Sequence, residues 1–179
     1  MKKQVSVIIP NFNGRNYLKD CLNSLNQQHF QDFEIILVDN ASTDDSLSLA
    51  REFCPEIKTI VLSENFGFCR AVNEGIRASK APFVLLLNND TVVDPDFVGA
   101  LYEAIRGKEK VFSCASQMRK LTDPSKMDDG GDFYCALGWA FARGKDKPYE
   151  NYEKAGRIFF SCAGAAIYRR EVFEKIGYF

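Results

Sequence analysis

The residues of this chain that could do chemistry stand directly behind apolar runs. Asn11 and Asn13 follow "VSVIIP", Asp39 and Asn40 follow "FEIILV", Asn65 follows "IVLSE", and Asn88, Asn89 and Asp90 follow "FVLLL". Carboxylates and amides are hard oxygen donors. One or two of them, completed by the oxygens of a bound phosphate, form a normal setting for Mg²⁺ or Mn²⁺. Asp90 is the candidate metal ligand, and Asn88 can assist through its amide oxygen. Asp39 can accept a hydrogen bond from a base N–H or a ribose hydroxyl. Taken singly, each position also suits a turn or a helix cap. Recurrence at four successive run ends points beyond turns, to a place where an anionic ligand meets a divalent cation.

Those runs alternate with helical patterns. The spacing predicts a helix over 14–27 with Tyr17, Leu18, Cys21, Leu22 and Leu25 on one face. Ser42-Thr43-Asp44-Asp45 matches a capping box and opens a helix reaching about Cys54. Residues 57–62 read as a third strand, Phe66 to Ser79 as a third helix, and Asp94-Pro95 as the cap of a fourth helix stopping near Gly107. His29, the single histidine, reads as a surface or capping residue. Four strand–helix repeats imply a largely parallel sheet, whose ligands lie beyond the carboxyl ends of the strands.

From about Ser113 the period degrades. "DDGGDFYCALGWAFARGKDKPYENYEK" reads as long loops and short strands over the end of the sheet. "RIFFSCAGAAIYRREVFEKIG" reads as a strand, a small-residue segment and a helix stopping at Gly177. On that helix Glu171 and Glu174 are expected to face solvent, opposite Val172, Phe173 and Ile176.

Composition narrows the function classes. With 179 residues, 46% hydrophobic and 26% charged, the chain suits one globular domain with a real core. A formal net charge of -1 and the lack of a basic run leave no electrostatic case for nucleic acid. The six cysteines form no Cys-x-x-Cys pair and read as reduced packing residues. No signal-peptide core opens the chain and no stretch approaches membrane-span length. "IIPNFNGRNY" carries no Gly-x-Gly-x-x-Gly, and no Gly-Lys-Ser/Thr follows any strand, which argues against a dinucleotide oxidoreductase and a P-loop enzyme. A nucleotide would instead be held by its base and ribose, with its diphosphate neutralised by a metal.

Five segments, "VSVIIPNFNGRNYLKDCLNSL", "EIILVDNASTDDS", "NFGFCRAVNEGI", "FVLLLNNDTVVDPDF" and "GAAIYRREVFEKIGYF", together resemble family 2 glycosyltransferases of the GT-A fold. "MDDGGDFYCALGWAFARGKD" and "CAGAAIYRREVFEKIGYF" are most similar to the rhamnosyltransferase-like subgroup. The resemblance implies an α/β, mostly parallel Rossmann-like sheet with helices on both faces. It implies one domain, with 1–110 a nucleotide-binding half and 111–179 a donor and acceptor half cut short at its C-terminus. It implies inverting transfer from a UDP-, dTDP- or GDP-linked sugar to a glycan or lipid-linked acceptor, assisted by Mg²⁺ or Mn²⁺. By that resemblance Pro10, Asn11 and Asn13 line the nucleotide pocket and Asp39, with Asn40 beside it, contacts the base. Asn65, Gly67 and Asn73 belong to the stretch over nucleotide and sugar, and Asn88-Asn89-Asp90 takes the family's Asp-x-Asp position. Asn88 departs from that motif and lowers the negative charge of the site. A cytoplasmic protein, peripheral to the inner face of a membrane, is the location implied.

The transfer also needs a base for the acceptor hydroxyl. In the family an acidic pair shortly after "GYF" supplies it, so the base is expected beyond Phe179. Asp128, Asp129 and Asp132 are the alternatives within the chain, read here as a solvated turn. Arg143, Arg169 and Arg170 are candidate diphosphate or acceptor contacts. Two rival functions remain: a non-catalytic nucleotide-sugar-binding module, and a sugar nucleotidyltransferase. The second would carry a Gly-rich basic loop after strand one, where "NFNGRN" has one Gly and one Arg.

Overall fold

The computed structural model describes residues 3–179. In chain order the first elements are β1 (Val5–Asn11), α1 (Arg15–Asn26), β2 (Phe33–Asp39), α2 (Ser46–Phe53), β3 (Lys58–Val61), α3 (Phe68–Ala78), β4 (Phe83–Leu87) and α4 (Phe97–Ile105). There follow β5 (Ser113–Ala115), β6 (Met118–Arg119), β7 (Met127–Asp129), β8 (Asp132–Tyr134), β9 (Ala140–Ala142), a 3-10 turn over Tyr149–Tyr152, β10 (Ala165–Arg169) and α5 (Arg170–Ile176). The central sheet has six strands in the order β3-β2-β1-β4-β10-β5. The first four are parallel, and β10 runs antiparallel to both β4 and β5. β6–β7 and β8–β9 form two separate two-stranded ribbons.

Side-chain alternation divides the core into two layers, because successive strand residues face opposite sides. Val7, Ile9, Ile35, Leu37, Leu85 and Leu87 pack on one face with Leu18, Leu22 and Leu25 of α1, Ala50 of α2 and Leu101 of α4. Ile8, Ile36, Val38, Val84 and Leu86 pack on the other with Val72 and Ile76 of α3 and Phe173 of α5. Each fully buried Leu, Ile or Val stabilises by roughly 1.5–3 kcal/mol. Having helices on both faces explains why the central strands read as unbroken apolar runs. α3 comes close to the sheet at Gly75, where a Cβ would lie 2.3 Å from Ile8 Cγ2.

Several local expectations fail for tertiary reasons. Tyr17 turns out to solvent, 57% exposed, while the rest of its predicted stripe is buried. The Ser42 hydroxyl does not cap α2; it donates to Asp39 Oδ1 at 2.6 Å, and Asp45 takes the N-cap position without a side-chain bond. α4 begins two residues past Pro95, and its cap comes from across the fold. Gln28 Oε1 accepts the Val98 N–H at 2.8 Å while its Nε2 donates to the Asp94 carbonyl at 2.7 Å. His29 stays exposed, its Nδ1 2.8 Å from Asp96 Oδ1.

In the later part, the strand is the small-residue segment Ala165–Arg169 and not "RIFF". Slim residues at 165 and 166 fit between β4 and β5, whereas Phe160 makes only an isolated bridge to Asp132. Ile176 is 69% exposed, so Phe173 alone anchors α5 in the core. Asp128 and Asp129 close strand β7 and Asp132 opens β8; Asp129 is buried, so the segment is no solvated turn. All six cysteines are free, but Cys69 and Cys162 are exposed and do not serve as packing. Among the described residues no helix is long and apolar enough to cross a membrane.

Candidate functional site

The carboxyl ends of β1, β2 and β4 meet the start of α3 around a cavity of about 390 Å³. Pro10, Asn11, Asn40 and Asn65 line it from one side, Gly67 from another, and Asn88, Asn89 and Asp90 from the end of β4. These residues leave four separate loops and meet because four parallel strands end at one edge.

Two hydrogen-bond networks hold the walls. In the first, Asn89 Nδ2 donates to Asn11 Oδ1 at 2.8 Å, and Asn11 Nδ2 donates to Asp39 Oδ1 at 2.9 Å and to Ser46 Oγ at 2.9 Å. The Ser42 N–H completes the Asp39 shell at 3.1 Å. One buried amide thus ties the ends of β1, β2 and β4 together. In the second network, Asn40 Nδ2 donates to Asn65 Oδ1 at 2.7 Å, and Asn40 Oδ1 accepts the Phe66 N–H at 3.0 Å. Asn65 Oδ1 also accepts the Gly67 N–H at 2.9 Å. Gly67 itself has φ +82°, a backbone state that favours glycine, and so turns the chain into α3.

Three expected site residues are placed off the cavity wall. Asp39 is 2% exposed, and its two oxygens are engaged by Asn11 and Ser42; it stands one side chain behind the cavity. Asn13, at φ 50°, turns its Oδ1 to the Thr43 N–H at 2.8 Å and pins the β1–α1 loop to the β2–α2 loop. Asn73 points to the chain end, where its Nδ2 donates to the Phe179 carbonyl at 2.7 Å. Arg169 and Arg170 are likewise directed away, onto backbone carbonyls such as Ile105 and Ala81. Arg143 donates to the Lys154 carbonyl at 2.9 Å.

Phe12, Phe68 and Ala71 line the cavity without having been singled out from sequence. The signal for Phe12 was its place between two selected asparagines. Phe12 and Phe68 stay 47% and 44% exposed, which leaves ring faces free to stack on a planar base.

The cation question turns on the tip of β4. Among the described residues no three His, Cys, Asp or Glu side chains gather closely enough to hold a metal alone. Asp90 is exposed, and among the described residues neither its carboxylate nor the Asn88 side-chain amide has a hydrogen-bond partner; the Asn88 backbone is engaged, its N–H by the Gly164 carbonyl at 2.8 Å and its carbonyl by Thr91 Oγ1 at 2.7 Å. One carboxylate and one amide oxygen with spare capacity fit Mg²⁺ or Mn²⁺ when a ligand brings phosphate oxygens. Behind the tip, burial pushes the Cys21 thiol up to about 12, with the Asp90 charge adding to the effect, so it remains protonated. Beside it, a Cβ on Gly164 would sit 3.4 Å from Asn88 Nδ2 and 3.7 Å from Cys162 Sγ. Burial raises that thiol, helped by the charges of Asp129 and Asp132. Burial, then the Asp129 charge, raises Asp132 as well.

A sequence model described as glycosyl transferase family 2 matches residues 6–177. The chain belongs to that family. The putative glycosyltransferase EpsH of Bacillus subtilis is 25% identical over 175 residues, which covers 95% of this chain and 48% of EpsH. Among solved structures, S. aureus TarS 1-349 in complex with UDP-GlcNAc superposes with a TM-score of 0.70 at 22% identity, covering all of this chain and 48% of TarS. The mannosyltransferase PcManGT from Pyrobaculum calidifontis, in complex with GDP-Man and Mn2+, gives a TM-score of 0.70 at 18% identity, with 100% and 48% covered. This family 2 chain spans about half the length of each. Its α/β sheet is the GT-A fold.

Proposed function

We propose that the cavity at the ends of β1, β2 and β4 binds a nucleoside diphosphate sugar, and that the sugar is transferred with inversion to a glycan or lipid-linked acceptor. One observation carries the reading. Exposed Phe12 and Phe68 rings, the Asn88 side-chain amide and the Asp90 carboxylate border the same cavity. The rings and the Asn40–Asn65 wall suit a base and ribose. The N-terminus of α3 presents its positive dipole end to the diphosphate. A Mg²⁺ or Mn²⁺ held by Asp90, with Asn88 assisting, would neutralise the departing diphosphate. The UDP-GlcNAc and GDP-Man complexes of structures with this fold, one of them with Mn2+, support the ligand class. The rhamnosyltransferase-like character of the donor side is supported by the later segments alone.

Within 3–179 two carboxylates of the acidic segment are already engaged by the protein. Asp128 pairs with Lys145 at 2.6 Å, and Asp129 accepts the Gly131 N–H at 2.6 Å.

Titration calorimetry with UDP, dTDP and GDP, each with and without Mn²⁺, tests the reading. At least one nucleotide is expected to bind more tightly with the metal. Asp90→Ala is expected to weaken that metal-dependent binding on the order of tenfold or more while sparing the metal-free part. Absence of binding by all three would end the proposal. Equal losses with and without metal would remove Asp90 as the ligand.

A further inference from the structure

α3 has two working faces. Its N-terminal end, Gly67, Phe68 and Ala71, borders the nucleotide cavity. Asn73 and Arg77, four residues apart and so on one stripe, hold the last residues of the chain. Asn73 is 7% exposed and pairs with the Phe179 backbone as a neighbouring strand would. Its Oδ1 accepts the Phe179 N–H at 3.1 Å and its Nδ2 donates to the Phe179 carbonyl at 2.7 Å. One turn on, the Arg77 guanidinium lies 4.5 Å from the centre of the Tyr178 ring. The Phe179 ring packs at 5.5 Å on Phe173 and 5.8 Å on Tyr168, beside the same face of the sheet. Gly177, at φ +97°, turns the chain out of α5 toward this latch.

We propose that Asn73 is a positioning residue: through it α3 links the nucleotide cavity to the Gly177–Phe179 segment, so that filling the cavity tightens the latch. The inference rests on the nucleotide reading of the cavity. A ligand resting on Phe68 and the first turn of α3 restrains the helix that carries Asn73, and a helix restrained at one end holds the Asn73–Phe179 pair more firmly at the other. Coupling of this kind is reciprocal, so the latch must strengthen nucleotide binding by the factor by which nucleotide strengthens the latch. An asparagine suits the task because its amide both donates and accepts. Alanine loses both bonds, and aspartate keeps only the acceptor for the Phe179 N–H.

Hydrogen exchange at the Phe179 amide tests this in the unaltered protein, with and without saturating Mn²⁺ and whichever of UDP, dTDP or GDP binds. Exchange is expected to slow about fivefold or more, the lower end of ordinary coupling. Asn73→Ala is expected to weaken the same nucleotide by a matching factor, and Asn73→Asp to recover part of it. Nucleotide binding with unchanged Phe179 exchange would overturn the proposal and leave the nucleotide reading intact. An Asn73→Ala protein that melts earlier yet binds nucleotide with unaltered affinity would also overturn it, since that is what a purely structural bond gives. If no nucleotide binds, both readings fall together.

Discussion

A methyl group on Gly14 would land 2.2 Å from both Asn11 Oδ1 and Asn89 Nδ2. The amide pair that joins β1 to β4 therefore depends on a missing side chain three residues away. Gly14→Ala is expected to break this pair, since Asn11 is held by Asp39 and Ser46 and cannot retreat, which leaves Asn89 to move away from it. Overpacking of this kind costs roughly 1–3 kcal/mol, read as a lowered urea midpoint. Nucleotide affinity should fall with it because Asn89 and Asp90 share the displaced loop. Sequence alone marks Asn11, Asp39 and Asn89 as separate ligand contacts. Their types and positions were legible, but the fact that they bind one another was not. An amide bonds equally well to a neighbour or to a ligand, and only geometry distinguishes the two.

At the scale of elements, the alternation of runs and helical stripes was legible because period 2 and period 3.6 are written into the apolar residues. Helix starts were less so. Ser42 and Asp94 have the right chemistry for caps, but Asp39 takes the first and Gln28 supplies the cap of α4 in place of the second. Strand pairing also carries a pH dependence. Glu34 of β2 is partly buried, which disfavours its charge, but the Lys58 and Ser6 bonds and the nearby Lys3 outweigh that and hold its carboxyl below the usual range. The Ser6 hydroxyl donates to it at 2.7 Å, and Lys58 pairs with it from the neighbouring β3. A depressed folded-state value stabilises fully above the ordinary glutamate value of about 4.3, and the contribution is lost as pH falls through the folded value. Urea unfolding of the parent protein and Glu34→Gln should therefore differ at pH 6 and converge toward pH 3. A difference that grew in acid would contradict this account.

At the scale of the whole molecule, a ligand bound only by the folded state stabilises it by about 2.7 kcal/mol at one hundred times its dissociation constant. For a chain of this size that corresponds to a rise in Tm of roughly 5–10 °C. Differential scanning calorimetry with the nucleotide and Mn²⁺ should show such a rise, and EDTA should remove the metal-dependent part of it. A Tm indifferent to both additions would contradict ligand binding in the cavity.

The sequence by itself determined the α/β class, the parallel order of strand and helix through about Gly107, and the polar residues gathered at the strand ends. These follow from local periodicity and from the rule that parallel strands share a carboxyl edge. Only the tertiary structure decided that β10 enters the sheet antiparallel between β4 and β5, that Phe12 and Phe68 line the cavity, and that Asp39, Asn13 and Asn73 turn to protein partners. The physical reason is that a polar side chain on a loop has many satisfactory partners. Which one it finds depends on residues 28, 30 or 106 positions away in sequence, brought within hydrogen-bond reach by packing.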